Sequence, residues 1–129
     1  MGTIRYKDIM KKNYGTMADI MLKVHSGKLK RVIAISSIFG KEAGLSESFT
    51  AAKAAVIAYM KSCSKKYTGA TYNTICPGHI HVGKTMLTST GIVGNPEDVA
   101  GIVTFLCSNK ASHINGACIT VDGGESHAF

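Results

Sequence analysis

Segment 32–56 carries a serine at 37, a phenylalanine at 49 and a lysine at 53, and a spacing of four places the last two on one face of a helix. A phenyl ring beside an ammonium can pack and can shield it, but it can neither give nor take a proton. The nearest hydroxyls lie elsewhere on the helix. Ser48 and Thr50 point about 100° away around a helix from position 49, and Tyr59 lies about 15 Å along it. A second chemical pattern is Gly78-His79-Ile80-His81-Val82-Gly83-Lys84-Thr85, which fits the phosphate-cradling G-x-x-x-x-G-K-[ST] after an apolar strand. Cys118–Asp122 could imitate an apolar strand ending in a magnesium-binding acid. The context argues against that reading, because residues 86–90 run into Gly91 instead of sustaining a helix and Pro77 disturbs the entry.

His79 and His81 are an isolated i, i+2 pair, and Cys63, Cys76, Cys107 and Cys118 form no C-x-x-C or mixed cluster, so no metal site is expected. The cysteines fall in apolar segments and read as reduced core thiols. The chain has 129 residues, 45% hydrophobic and 18% charged, which fits one globular core and excludes low-hydrophobicity disorder. No apolar run approaches the roughly 18 residues of a membrane span, and MGTIRYKDIMKK lacks a signal-peptide core, so a cytoplasmic location is expected. The charge of +7 comes from lysines scattered along the chain, without a basic helix face or interleaved aromatics, and gives no support to nucleic-acid binding. Lys11-Lys12 and Lys65-Lys66 read as solvated helix faces.

Elements that could position these residues are clearly punctuated. Residues 8–27 predict a helix, capped by Asp8 and ended by Gly27, with Met10, Tyr14, Met17, Met21 and Val24 as its apolar stripe. Gly15 inside it costs about 1 kcal/mol relative to alanine and points to close packing. RVIAIS (31–36) predicts a buried parallel strand. A second helix runs from Ser46 or Ser48 to Lys66, burying Phe49, Ala52, Val56, Tyr59, Met60 and Cys63. A strand within 70–80 must end at Pro77-Gly78, and an irregular stretch covers 79–94. Asn95-Pro96-Glu97-Asp98 opens a third helix, and 117–124 predict a last strand closed by two glycines. Helices alternating with strands imply a parallel sheet of about three strands in a layered α/β, partly doubly wound architecture.

Taken together, these landmarks resemble the short-chain dehydrogenase/reductase family from about Ile9 to Gly124. Its signature is a serine at a strand end followed by Tyr-x-x-x-Lys opening a helix, and here the pattern is Phe-x-x-x-Lys. The resemblance implies that Ser37 orients a substrate carbonyl or hydroxyl and that Lys53 binds the nicotinamide ribose. Asn13, with Gly15, corresponds to an asparagine that helps hold a water in the proton relay. Pro77, Gly78 and Ile80 look like the Pro-Gly-x-Ile segment against the nicotinamide, with Val82 where a threonine usually follows. The 95–100 helix start and Val121-Asp122-Gly123-Gly124 complete the likeness. The implied cofactor is NAD or NADP.

Phe49 occupies the position of the family's general acid, whose loss typically costs on the order of 10²–10⁴ in rate. No Gly-x-x-x-Gly-x-Gly turn precedes residue 9, so the pyrophosphate-binding helix N-terminus and its later acidic residue have no counterpart in this sequence. Residues 1–129 are therefore expected to form a single truncated domain of this family, incomplete and inactive alone. The strand at 32–36 should lack its usual neighbour, which favours a homo-oligomer or a completing partner chain. The Met-rich stripe could face that other chain or pack on its own sheet. A non-catalytic interaction protein on the same scaffold is the alternative reading.

Overall fold

A computed structural model describes residues 3–24, 28–44, 46–81 and 93–129. Helices α1 (Thr3–Met10) and α2 (Thr16–Val24) are joined by a π-helical turn, Lys11–Gly15. Strand β1 (Arg31–Ile35), helix α3 (Glu47–Lys66), strand β2 (Thr71–Pro77), helix α4 (Pro96–Cys107) and strand β3 (Cys118–Val121) follow. The sheet order is β1-β2-β3 and every pairing is parallel, with Arg31 opposite Thr71 and Ile75 opposite Ile119.

Alternation along the strands builds one core on each face of the sheet. Val32, Ala34 and Tyr72 meet Met17 and Met21 of α2 and Val56, Met60 and Cys63 of α3. Ile33, Ile75, Ile119 and Val121 meet Val99, Ile102, Val103 and Leu106 of α4 on the other. Met17 and Met21 of α2 thus pack on the chain's own sheet, while the apolar side chains of Ile20 and Leu22 are exposed.

Local chemistry accounts for the boundaries. Ser46 caps α3 by accepting from the Phe49 amide at 3.2 Å, and Lys65 and Lys66 sit in its last turn. Asp98 Oδ2 accepts from the Asn95 amide at 2.7 Å at the start of α4, with Pro96 in the first turn. Gly123 and Gly124 end the last strand at φ 61° and 80°, a conformation that side chains resist.

Three sequence expectations need correction. The first helix begins at Thr3 and not after Asp8; Asp8 lies inside it, paired with Lys12 at 2.9 Å. A Cβ on Gly15 would come no closer than 3.9 Å to Lys11 Cγ and Met10 O, so no neighbour requires the glycine. Cys107 is exposed on α4, whereas Cys63 and Cys76 are buried and Cys118 is half-buried. The expected helix end at Gly27, and most of the 79–94 stretch with Val82, lie outside the described residues. Of that stretch, Ile80 and Gly94 form an isolated parallel bridge.

Candidate active site

The site is assembled around the start of α3. Ser46 fixes where the helix begins, and this sets Phe49 and Lys53 one turn apart on a single face. Lys53 Nζ lies over the Phe49 ring, 5.6 Å from its centroid. Burial lowers the pKa of Lys53 from its ordinary value, partly offset by nearby Cys76.

The end of β1 is bound to the same turn of α3. Ser36 is buried, and its hydroxyl donates to the Lys53 carbonyl at 2.8 Å. The chain then folds into a 3-10 turn, Ile38–Gly40, so close to α3 that a Cβ on Gly40 would stand 2.8 Å from the Lys53 carbonyl carbon. Glycine is required there by contact. Ser37 Oγ accepts from the Phe39 amide at 3.1 Å, so the serine implied to orient a substrate also caps its own turn. Phe39 meets His79 edge to face, with ring centroids 6.0 Å apart, which brings the Ser37 turn beside the Pro77–Ile80 segment.

Gly78 donates from its amide to Val121 O at 3.0 Å, and a Cβ there would lie 2.7 Å from Asp122 Cβ and Glu125 Oε2. Its space is filled by the chain's own C-terminal segment. Ile80 lines a cleft of about 480 Å³ with His79, Gly94, Asp98 and Asp122. Glu125 grips the ring and amide of His79. Burial pushes the Asp122 carboxyl up, but hydrogen bonds from Ser126 and Gly124 outweigh it and hold the group below its ordinary value.

Asn13 stands apart from this group. It sits in the π-helical turn, where Nδ2 donates to Ile9 O at 3.0 Å, and it lines a groove at the outer edge of β1 with Met17, Val32 and Ile35. The structure therefore gathers Ser37, Phe49, Lys53, Pro77, Gly78 and Ile80 around the carboxyl ends of β1 and β2 and leaves Asn13 on the flank. Sequence reasoning missed Ser36, whose only signal was its place beside Ser37, and the His79–Glu125 pair, whose partners are 46 residues apart.

The fit to a dinucleotide is partial. Lys53 supplies a cation at the start of α3, but Asp98 and Asp122 make the cleft at Ile80 acidic, and no glycine-rich cradle for a pyrophosphate is found among the described residues. Among those residues there is also no cluster of three metal-ligating side chains, and no helix is long and apolar enough to cross a membrane.

An open parallel sheet with helices on both faces, and the candidate residues at the carboxyl ends of its strands, defines a Rossmann-like scaffold. Comparison with known proteins agrees. Residues 8–126 match the family model described as Enoyl-(Acyl carrier protein) reductase. The 3-oxoacyl-[acyl-carrier-protein] reductase MabA of Mycobacterium tuberculosis is 37% identical over 112 residues, covering 75% of this chain and 45% of that protein. The reductase FabG of Vibrio cholerae is 31% identical over 138 aligned positions, 92% of this chain and 57% of that protein. The chain belongs to the short-chain dehydrogenase/reductase family, and it spans about half the length of the curated relatives it matches. Among solved structures, acetoin dehydrogenase YohF from Salmonella typhimurium superposes with a TM-score of 0.84 at 25% identity, covering 100% of this chain and 58% of that one. A 4-hydroxyisoleucine dehydrogenase complexed with NADH gives 0.90 at 21% identity over 99% of this chain and 62% of that one, a likeness of fold.

Proposed function

We propose that the chain supplies the serine–lysine half of an NAD(P)-dependent oxidoreductase for an alcohol or carbonyl substrate, and that it does not turn over alone. The observation that carries this reading is Phe49 under the Lys53 ammonium, where the family places its acid. Ser37 would orient the substrate oxygen and Lys53 would hold a ribose hydroxyl, with Pro77, Gly78 and Ile80 forming the wall beside it. When bound, a nicotinamide would supply or accept the hydride. The proton at the substrate oxygen would still have no donor at position 49. Asn13, held by Ile9 O in the widened turn, would act through a water and not on substrate directly.

The test is calorimetry with NAD(H) and NADP(H), with oligomeric state measured on the same sample. Saturable binding by a self-associated or partner-completed form supports the reading, and clear NAD(P)-dependent oxidation by the chain alone overturns its inactive part.

A second reading, a non-catalytic interaction protein on the same scaffold, is favoured by the apolar groove along β1. Met17, Ile20, Leu29, Val32 and Ile35 line it, beside a strand that pairs only with β2 among the described residues. A second copy or a completing chain fits this edge in either reading; no nucleic acid or membrane is invoked. Absence of cofactor binding together with stable association would favour it. Magnesium-dependent ATP or GTP binding would instead revive the phosphate-loop pattern at 78–85, which falls partly outside the described residues.

A further inference from the structure

Cys76 on β2 and Cys118 on β3 face the same side of the sheet. Thr74 is opposite Cys118 and Cys76 is opposite Thr120, so the two cysteines are diagonal neighbours on adjacent strands. Their sulfurs are 3.0 Å apart. A disulfide bond needs about 1 Å of further approach by the sulfurs and a small shift of the two strands.

Their surroundings divide the roles. Cys76 is fully buried, whereas Cys118 is half-exposed. Lys41 Nζ donates to Thr120 Oγ1 at 3.1 Å, opposite Cys76 and two residues beyond Cys118, and brings a positive charge near both sulfurs. The hydrogen bond shared with Cys76 and the Lys41 charge outweigh burial and draw the Cys118 thiol down to about 7. That same bond, and burial, push Cys76 up. An outside disulfide can reach the half-exposed Cys118 but not the fully buried Cys76, which makes Cys118 the attacking sulfur and Cys76 the resolving one. Cys63 is buried and its thiol is pushed up by burial, while Cys107 is exposed without a sulfur partner among the described residues. Neither Cys76 nor Cys118 has a task in the reaction proposed above.

We propose that Cys76 and Cys118 form a cross-strand dithiol that is reversibly oxidised to an intramolecular disulfide by low-molecular-weight disulfides. The Cys118 thiolate attacks one sulfur of glutathione disulfide, breaking its S–S bond and releasing a glutathione thiolate. Cys76 gives its proton to that thiolate, and its sulfur then attacks Cys118 and expels the second glutathione. The protein pair loses two electrons and two protons, and one glutathione disulfide becomes two thiols. A diagonal pair lies just beyond the usual disulfide reach, so closure needs a small shift of the strands and the bond is readily reduced again. The Ser37 backbone amide contacts the Cys76 sulfur, so closure is felt at the turn that carries Ser37.

The experiment is incubation of the whole chain with glutathione disulfide, alkylation of remaining thiols, and mass spectrometry without reductant. The expected result is a chain short of two hydrogens, with the Cys76 and Cys118 peptides linked and the link reversed by dithiothreitol. Cys76→Ala should retain one glutathione on Cys118. Cys118→Ser should give no link and slow the loss of the Cys76 thiol by on the order of tenfold. The wild-type map needs no variant to fold. Glutathione on Cys107 alone, with Cys76 and Cys118 still open to alkylation in the unfolded chain, overturns the proposal, as does a link through Cys63.

Discussion

The Lys53 ammonium lies 5.6 Å from the centroid of the Phe49 ring, one helical turn away on α3. A cation over an aromatic face is stabilised by about 0.5–1 kcal/mol where water still reaches it. The same ammonium would bring down the pKa of a phenol at this position, which in a catalytic relative prepares the acid. In this chain the ammonium faces a phenylalanine ring, which has no proton to give.

Phe49→Tyr should therefore restore a phenol without restoring turnover. Its hydroxyl is expected to titrate below the ordinary value of about 10 because Lys53 faces the ring, read by ultraviolet difference absorbance. NAD(P)-dependent oxidation should stay at background, since the substitution adds no pyrophosphate cradle. Appearance of turnover in this variant alone would show that the cradle matters less than its absence suggests.

Lys53 should also leave a signature in stability. Its folded pKa is lowered from 10.5 by burial, so the unfolded chain binds more protons between the two values. Unfolding free energy must then rise with pH across that window, while below it the burial penalty is fully in force. Relative to Lys53→Met, the wild-type urea midpoint should increase as pH is raised from neutrality toward 10.5, modestly, because the side chain is half-exposed. Parallel curves for the two proteins would contradict this assignment.

The two adjacent serines should respond in the reverse order of their catalytic interest. Ser36 is buried and ties β1 to the α3 backbone, whereas Ser37 caps a three-residue turn. Ser36→Ala is expected to cost about 1–2 kcal/mol, and Ser37→Ala under about 1 kcal/mol. Chemical denaturation of both variants decides the order, and a larger loss in Ser37→Ala would mean that its hydroxyl does more for the fold than its one bond indicates.

Much of this architecture was legible in the sequence because its signals are local. Ser46, Asn95-Pro96 and Pro77-Gly78 each act within a few residues, and the strands and the later helices begin or end where they predict. The first helix was misread at its start because Asp8 resembles a cap, yet its carboxylate serves Lys12 instead. Ser37, Phe49 and Lys53 could be placed because the first follows β1 directly and the other two share α3. The Cys76–Cys118 contact and the links from Asn73 depend on strand register across some 40 residues, which no local pattern encodes.

Asn73 illustrates that long-range class. It is buried in β2; Nδ2 donates to Ile114 O at 2.8 Å, and Oδ1 accepts from the Ala117 amide at 2.9 Å. Asn73→Leu would leave a carbonyl and an amide unpaired where the chain enters β3. With each such group costing about 1–3 kcal/mol, destabilisation of roughly 2–6 kcal/mol is expected. A thermal or urea midpoint near wild type would show that water replaces both bonds.

The outer edge of β1 is where association should be sensitive to a single charge. Ile35 is 46% exposed at the end of that strand, and Ile20, 55% exposed, lines the same groove. A strand edge beside apolar side chains favours pairing with another chain, and a lysine there is a common means of preventing it. Ile35→Lys should shift the chain to its smallest species at concentrations where the wild type associates, without lowering the unfolding midpoint, because the side chain already meets solvent. Sedimentation velocity across a concentration series reads this directly. Unchanged association would move the interface to another face, and a wild-type chain that stays monomeric throughout would mean that this edge is left unpaired by its own copies.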